Sequence, residues 1–223
     1  MPDRPGPLGI LGGTFDPVHR AHLHLARAAL RQLRLDGVVW IPAGQPSHRQ
    51  MPFAPAAHRL EMVRLATAGE PRFSVDATEA LADEPSYTVP TLERLRLRHG
   101  AERPFVLLMG ADAFLGLPTW RRWREIFDLA HVAVASRPGA PLAAENMDEE
   151  LAGLLQRRWR TRFAALSAAP AGAIAGFEIE PVEPPDLSAT AIRERLRAGA
   201  DVPADLLPPG VLDYIRRNHL YSV

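Results

Sequence analysis

The chain has 223 residues, and its 26 residues of the Lys and Arg class balance 26 Asp and Glu residues, so the formal net charge is zero. This length predicts one domain with a substantial core, and the charge balance gives no global field that would attract nucleic acid or an anionic membrane. Cys and Lys are both absent, which excludes disulfides, zinc–thiolate sites, a thiol nucleophile, Schiff-base chemistry on Lys and a Walker A loop.

The predicted elements, taken in chain order, alternate between buried strands and amphipathic helices. Strands are expected at Leu8–Gly13, Val38–Ile41, Phe73–Val75, Phe105–Met109, His131–Ala135 and Ile174–Ile179. Helices are expected from Arg20 to the residues before Gly37, and at Ala56–Ala68, Thr88–His99, Arg121–Leu129, Asp148–Leu166, Ser188–Arg197 and Pro209–Asn218. The stretch Pro42–Pro55 is expected to be a Pro-rich loop, and Pro138–Asn146 a linker-like segment.

The alternation of strands and helices predicts an α/β fold with an open, mostly parallel, doubly wound (Rossmann-like) sheet. We expect a single domain over residues 1–223 whose last part, about residues 181–223, is a helical subregion. The first residues lack the apolar core of a signal peptide, and no apolar run approaches the roughly 20 residues that span a bilayer. We therefore expect a soluble, cytoplasmic protein with no membrane or nucleic-acid partner.

The segment from Gly12 to His22 lies between the first strand and the first helix, at the edge of a parallel sheet where ligands bind. The two glycines let the main chain approach a ligand closely, and His19 and His22 share one face at the helix start. Imidazoles beside the positive end of a helix dipole suit a polyphosphate. The alternatives are a turn with two surface histidines or, less favoured, a metal site formed with His24.

Residues 12–19 read Gly-Gly-Thr-Phe-Asp-Pro-Val-His, and His22 follows three positions later. This run resembles the signature of the nucleotidyltransferase superfamily, in the longer form of the bacterial nicotinate-nucleotide adenylyltransferases. That family has Gly where this chain has Ala21. The resemblance implies that ATP contacts Gly12, Gly13, Thr14, Phe15, His19 and His22, and that Asp16 contacts nicotinate mononucleotide.

A second polar cluster opens the helix that begins at Ser188. Taken alone, Ser188, Thr190 and Arg193 could form an anion site at a helix N-terminus, or Ser188 could simply cap an ordinary amphipathic helix. The segment resembles the Ile-Ser-Ser-Thr-x-Ile-Arg motif of the same family, which binds the ATP phosphates. The resemblance implies that all three polar residues contact ATP.

Two further stretches resemble the family in the same order. Residues 42–49 resemble its Pro-x-x-x-Pro-Pro-His-Lys loop, so His48 and Arg49 are expected to face nicotinate mononucleotide. The Ser-Tyr-Thr turn at residues 86–88 implies the same for Tyr87 and Thr88. Without the family, the first stretch is a surface loop and the second is a helix cap.

Polar and aromatic residues also follow two later strands. Asp112 follows one predicted strand and could contact a ribose hydroxyl or a metal-bound water, and it is expected to face nicotinate mononucleotide. Arg137 follows another strand and could bind an ATP phosphate. Trp120 resembles the aromatic residue that stacks on the nicotinate ring, and its alternative is an ordinary core or surface Trp. Trp123 has the same ambiguity and a weaker claim.

The resemblance implies transfer of AMP from ATP to nicotinate mononucleotide, giving nicotinate adenine dinucleotide and pyrophosphate. The substrate's phosphate is the nucleophile, so catalysis is expected to be positioning and charge neutralisation, by His22 at the transition state and by His19 and Arg193 at the phosphates. Mg²⁺ would bind mainly through the ATP phosphates, with no protein metal site. A monomer or weak homo-oligomer is expected. The alternatives are the same reaction on nicotinamide mononucleotide and a nucleotide-binding regulator without turnover.

Overall fold

A computed structural model describes residues 5–46, 51–136, 147–161, 164–181, 187–203 and 205–221. Its strands are β1 (Leu8–Gly13), β2 (Gly37–Pro42), β3 (Gln45–Pro46), β4 (Phe73–Val75), β5 (Pro85–Ser86), β6 (Phe105–Gly110), β7 (His131–Ser136) and β8 (Ile174–Glu178). Its α-helices are α1 (Arg20–Gln32), α2 (Ala56–Thr67), α3 (Thr88–His99), α4 (Ala111–Leu115), α5 (Ile126–Leu129), α6 (Glu149–Arg158), α7 (Ala164–Ala168), α8 (Ala189–Arg197) and α9 (Val211–Arg217). Two 3₁₀ helices span Leu117–Thr119 and Trp123–Glu125.

A six-stranded sheet has the strand order β4-β2-β1-β6-β7-β8. Strand β6 pairs in parallel with both β1 and β7, and β7 pairs in parallel with β8. The first five residues of β6 and of β7 are buried and apolar apart from His131, as expected where helices cover both faces of a parallel sheet. The prediction of an open, mostly parallel α/β sheet is confirmed.

The chain divides into two compact units. Unit 1 comprises Met1–Leu11, Ala26–Val38 and Tyr87–Glu180, and unit 2 comprises Gly12–Leu25, Val39–Ser86 and Pro181–Val223. The expectation of a single domain stays a prediction. Within the described ranges, no helix is both long and apolar enough to cross a membrane.

The predicted helix Arg121–Leu129 is wrong in its first half. Arg122 has a left-handed main chain (φ 60°), and a 3₁₀ turn precedes the short helix α5. The Arg122 guanidinium donates to Glu93 at 2.7 Å and to Glu125 at 2.6 Å. These ion pairs accompany a turn that helical periodicity alone cannot reveal.

The predicted helix Asp148–Leu166 is also wrong, because it is interrupted after Arg158. Trp159 has an extended main chain and forms a parallel bridge with Ile174, so the chain leaves the helix to join the edge of the sheet. Asp148 caps α6 as its side chain accepts from the amides of Glu150 and Leu151. The linker-like segment predicted at Pro138–Asn146 lies outside the described residues.

The described residues of the predicted loop Pro42–Pro55 include a short strand, β3, which pairs in parallel with β5. The Gly44 amide donates to the Ser86 Oγ at 3.0 Å beside this pair. A Cβ atom on Gly44 would lie 2.1 Å from the Glu79 carbonyl oxygen, so only glycine permits this approach. Helix α4 and the 3₁₀ helix Leu117–Thr119 were not predicted, and both are short turns that follow β6.

Candidate active site

The loop that follows β1 lies in unit 2, and Gly13 determines its shape. A Cβ atom on Gly13 would lie 2.9 Å from the Phe15 ring, so the glycine lets that ring fold back over the main chain. Phe15 is buried with a left-handed main chain (φ 51°) and packs at 5.5 Å from the Trp40 ring. Gly12 faces open space, and it therefore presents exposed main chain on the side of the loop that a ligand can approach.

His19 and His22 lie together at the start of α1, as their spacing predicts. Their ring centroids are 3.9 Å apart, and the His22 ring also meets the Phe15 ring edge-on at 5.1 Å. The main-chain amide of His19 donates to the His22 Nδ1 at 3.2 Å. This bond makes Nδ1 an acceptor, so in the neutral ring Nε2 carries the proton and is a hydrogen-bond donor.

His19 is buried, and its Nδ1 has no hydrogen-bond partner among the described residues. Burial lowers the pKa of His19 to about 4. The ring is therefore neutral at pH 7 and offers one donor and one acceptor. A buried imidazole nitrogen without a protein partner indicates a site that another polar group can fill.

The buried state of His19 predicts a pH-dependent stability. The pKa is 6.5 in the unfolded chain and about 4 in the folded one, so the unfolded chain binds more protons between these values. The free energy of unfolding should therefore fall as the pH drops from 6.5 to 4, and His19 accounts for at most about 3 kcal/mol of that loss. Urea unfolding at stepped pH values across this window measures the effect.

The matched variant for this measurement is His19→Gln, which cannot titrate. Burial also lowers the pKa of His131 in unit 1, so the wild-type slope contains a second contribution of the same sign. His19→Gln keeps that contribution and should show a shallower slope than the wild type. Parallel slopes for the two proteins would contradict the assignment.

Asp16 binds donors of its own chain. Its carboxylate accepts from the main-chain amides of Phe53 at 2.8 Å and Ala54 at 3.1 Å, and from the Tyr221 hydroxyl at 2.7 Å. Only 5% of Asp16 is exposed. The expected contact with nicotinate mononucleotide stays a prediction, and the carboxylate in this structure fixes the loop that leads to the histidines.

Arg59 on α2 is a structural residue of the site that the sequence reasoning missed. The side chain is 1% exposed and donates to four main-chain carbonyl oxygens. The acceptors, at 2.5 to 3.0 Å, are those of Thr14, Ala43, Gly44 and Ala54. One guanidinium therefore ties the loop after β1 to the loop after β2.

The three polar residues predicted to bind phosphate lie together at the start of α8, and their contact with ATP stays a prediction. Ser188 is the N-cap, and its Oγ accepts from the Ala191 amide at 3.2 Å. The Arg193 guanidinium donates to the Thr190 Oγ1 at 3.1 Å and to the main-chain oxygen of Asp16 at 2.6 Å. The structure thus brings the two motifs together within unit 2, although 177 positions separate Asp16 from Arg193.

Phe53 is a further residue of this cluster that the sequence did not reveal. Its ring is 55% exposed, and the Arg193 and Arg197 guanidinium carbons lie 4.6 and 4.1 Å from its centroid. Such cation–π contacts hold two cationic groups near each other against their mutual repulsion. Arg197 is one helical turn after Arg193, so the sequence spacing could have indicated that these two arginines share one face of α8.

The predicted residues of unit 1 occupy chain positions that follow turns or strands. Tyr87 is the N-cap of α3, with the Arg121 guanidinium carbon 5.0 Å from its ring centroid, and Thr88 begins the helix. Asp112 is exposed in the first turn of α4, directly after β6.

Trp120 is half-buried after a 3₁₀ turn. Trp123 is 5% exposed and packs on Phe127, so it belongs to the core.

Three predicted residues lie outside the described parts of the chain, namely His48, Arg49 and Arg137. Within the described parts, no group of three His, Asp or Glu side chains could hold a metal ion.

The sequence can be compared with known proteins. Residues 10–195 match the family described as cytidylyltransferase-like. A protein of Dechloromonas aromatica (strain RCB) named "Probable nicotinate-nucleotide adenylyltransferase" is 53% identical over 215 residues, which cover 96% of this chain and 97% of that protein. A protein of the same name from Chromobacterium violaceum is 46% identical over 216 residues, which cover 96% of this chain and 98% of that protein.

Solved structures share the fold. Nicotinic acid mononucleotide adenylyltransferase of Plasmodium falciparum complexed with NaAD has a TM-score of 0.72 at 15% identity, covering 97% of each chain. The same enzyme complexed with APC has a TM-score of 0.67 at 15% identity, also covering 97% of each chain. At this level of identity the likeness establishes the architecture.

Proposed function

The chain belongs to the cytidylyltransferase-like family and, within it, to the nicotinate-nucleotide adenylyltransferases, and from this premise we propose how its residues carry out the reaction. The enzyme transfers AMP from ATP to nicotinate mononucleotide. A phosphate oxygen of the mononucleotide forms a bond to the α-phosphorus of ATP, and the bond from that phosphorus to the β-phosphate oxygen breaks. The products are nicotinate adenine dinucleotide and pyrophosphate.

The attacking phosphate is already ionised at neutral pH, so the reaction needs no protein nucleophile and no strong base. The protein must align the reacting groups and stabilise the negative charge that develops on the α-phosphate and on pyrophosphate. We assign His22 to the α-phosphate, because its Nε2 is a donor once Nδ1 accepts from the His19 amide. We assign neutral His19 to an adjacent phosphate oxygen, which would satisfy its buried Nδ1.

The β- and γ-phosphates suit the cluster at α8. Arg193 contributes a permanent positive charge, and the helix start adds unpaired amides and the hydroxyls of Ser188 and Thr190. Pyrophosphate gains negative charge as it leaves, so these groups bind the leaving group more strongly than the intact triphosphate. Gly12, with its exposed main chain, would let ATP approach closely. Gly13, Thr14 and Phe15 are proposed as further ATP contacts. Arg137 is proposed as a further phosphate contact.

We propose that nicotinate mononucleotide binds to residues on other segments. The half-buried Trp120 would stack on the pyridine ring, and the amides near Thr88 and Asp112 would bind its carboxylate. Tyr87 directly precedes Thr88 in the chain and is proposed as a further contact with the mononucleotide. The same contact is proposed for His48, Arg49 and Asp16 from the resemblance to the family. Amide donors favour a carboxylate over a carboxamide, which supports the acid as substrate.

Mg²⁺ is proposed as the metal ion of the reaction. It would bind the ATP phosphate oxygens. The described residues include no group of three His, Asp or Glu side chains that could hold a metal ion. When bound, the ion neutralises phosphate charge. We also propose that the enzyme works in the cytoplasm as a monomer or weak homo-oligomer, since a chain without Cys needs no oxidising compartment.

The observation that carries the proposed site is the close, tilted pair of His19 and His22 rings at the start of α1, beside a glycine loop. The test is pyrophosphate release from ATP and Mg²⁺ with either nicotinate mononucleotide or nicotinamide mononucleotide. We expect kcat/KM to be at least about tenfold higher with the acid, since unpaired donors around a carboxamide are unfavourable. Equal or reversed values would replace the proposed acid preference with dual or amide specificity.

A further inference from the structure

Tyr221 joins the far end of the described chain to the loop that carries the histidines. Its side chain is buried, and its hydroxyl donates to the Asp16 Oδ1 at 2.7 Å across 205 positions of sequence. The main chain at Tyr221 is left-handed (φ 65°), a conformation that bulky residues rarely adopt. Strain of this kind persists only where the surrounding structure holds it, and such residues often serve a site.

Asp16 connects three separate segments of unit 2. The amides of Phe53 and Ala54 donate to its carboxylate, and the Arg193 guanidinium donates to its main-chain oxygen. Charge-assisted hydrogen bonds of this kind are short and directional. Among the described residues, the Tyr221 hydroxyl is the side-chain donor to this carboxylate, and the other two donors are the main-chain amides of Phe53 and Ala54.

We propose that Tyr221 is a positioning residue for AMP transfer, since its hydroxyl fixes Asp16 and thereby the main chain that leads to His19 and His22. Only Pro17 and buried Val18 separate Asp16 from His19. A displacement of the Asp16 carboxylate is therefore passed directly to the histidine pair. The inference rests on the proposed function, because it takes His22 as the group that acts on the α-phosphate.

The chemistry of the phenol suits this role. Burial, followed by the hydrogen bond to Asp16, raises the pKa of Tyr221, so the hydroxyl stays protonated and donates throughout the working pH range. Removing it leaves a buried carboxylate with one donor fewer, and the loop relaxes to recover a partner. Because transfer depends on alignment of the reacting groups, a shift well below 1 Å already lowers the rate.

The test compares two variants that each lose one phenol oxygen. Tyr221→Phe removes the donor to Asp16. The control variant, Tyr214→Phe, removes a hydroxyl on α9 that lies 2.9 Å from the His58 Nδ1. We expect kcat of Tyr221→Phe to fall about tenfold, with KM for both substrates changed by less than about threefold. Tyr214→Phe should keep kcat within about twofold of the wild type at a temperature where both variants are folded.

Two further readouts separate positioning from a general loss of stability. Hydrogen exchange of the Phe53 and Ala54 amides should be faster in Tyr221→Phe than in Tyr214→Phe, because these amides share the Asp16 carboxylate. The double variant Asp16→Ala/Tyr221→Phe should be no slower than Asp16→Ala alone, because both changes remove the same hydrogen bond.

Two results would overturn the inference, namely an unchanged kcat per folded molecule in Tyr221→Phe, or rate losses that multiply in the double variant. A wild-type protein that releases no pyrophosphate would instead refute the proposed function. If the wild type is active and Tyr221→Phe has the same kcat, only the positioning role is refuted.

Discussion

Replacing His22 with Ala is expected to lower kcat for pyrophosphate release by about 10²–10³-fold, the usual effect of removing one donor from a developing negative charge. The bond from the His19 amide to the His22 Nδ1 sets the tautomer, so Nε2 is the donor that the variant loses. KM for ATP should change little, because the ring acts mainly in the transition state. Steady-state kinetics on protein verified as folded by circular dichroism measure the effect.

The control for this variant is His24→Ala on the same helix. His24 lies two positions further along α1, where the helix turns it to a different face. We expect that variant to keep kcat within about twofold of the wild type. If His22→Ala retained full turnover, the assignment of His22 to the α-phosphate would fail. If the wild type bound ATP without turnover, the regulator alternative would apply.

Replacing Arg59 with Met should lower the free energy of unfolding by at least about 3 kcal/mol, since it leaves four main-chain carbonyl oxygens without their donor. Met has a similar length and fills much of the same space. The loss therefore reflects mainly the missing hydrogen bonds rather than a cavity. Urea unfolding followed by Trp fluorescence gives the value.

Two companion variants sharpen that measurement. Arg64→Met changes an exposed arginine of the same helix, whose pairing with Glu61 at 3.4 Å should be worth less than about 1 kcal/mol. Arg59→Lys keeps the charge and loses the planar fork of donors, so its stability should fall between the wild type and Arg59→Met. A loss below about 1 kcal/mol in Arg59→Met would show that water replaces the guanidinium.

The sequence predicted the fold and the histidine pair because both depend on short-range pattern. Strands β1, β6 and β7 are apolar runs that end at glycine, serine or a polar turn, and their bounds differ from the predicted ones by at most one residue. The contact of His19 with His22 follows from a spacing of three at the start of a helix. The role of Ser188 as N-cap follows from its chemistry in the same way.

The partners of Asp16 could not be predicted, because they come from distant segments. Phe53 and Tyr221 lie 37 and 205 positions away, and no local pattern links such residues. Arg59 had a usable signal, since it lies one turn before buried Val63 on the inward face of α2. An arginine at helical spacing with core residues indicates a buried guanidinium that needs several acceptors.

The anchoring by Arg59 also has an evolutionary consequence. All its acceptors are main-chain oxygens, which every amino acid carries, so the half-buried side chains at Thr14 and Ala43 can be exchanged without losing the attachment. Selection on this attachment therefore acts mainly on position 59 and on Gly44, the acceptor where only glycine permits the close approach to Glu79. A lineage can vary the side chains at Thr14 and Ala43 over generations while it inherits the same loop framework.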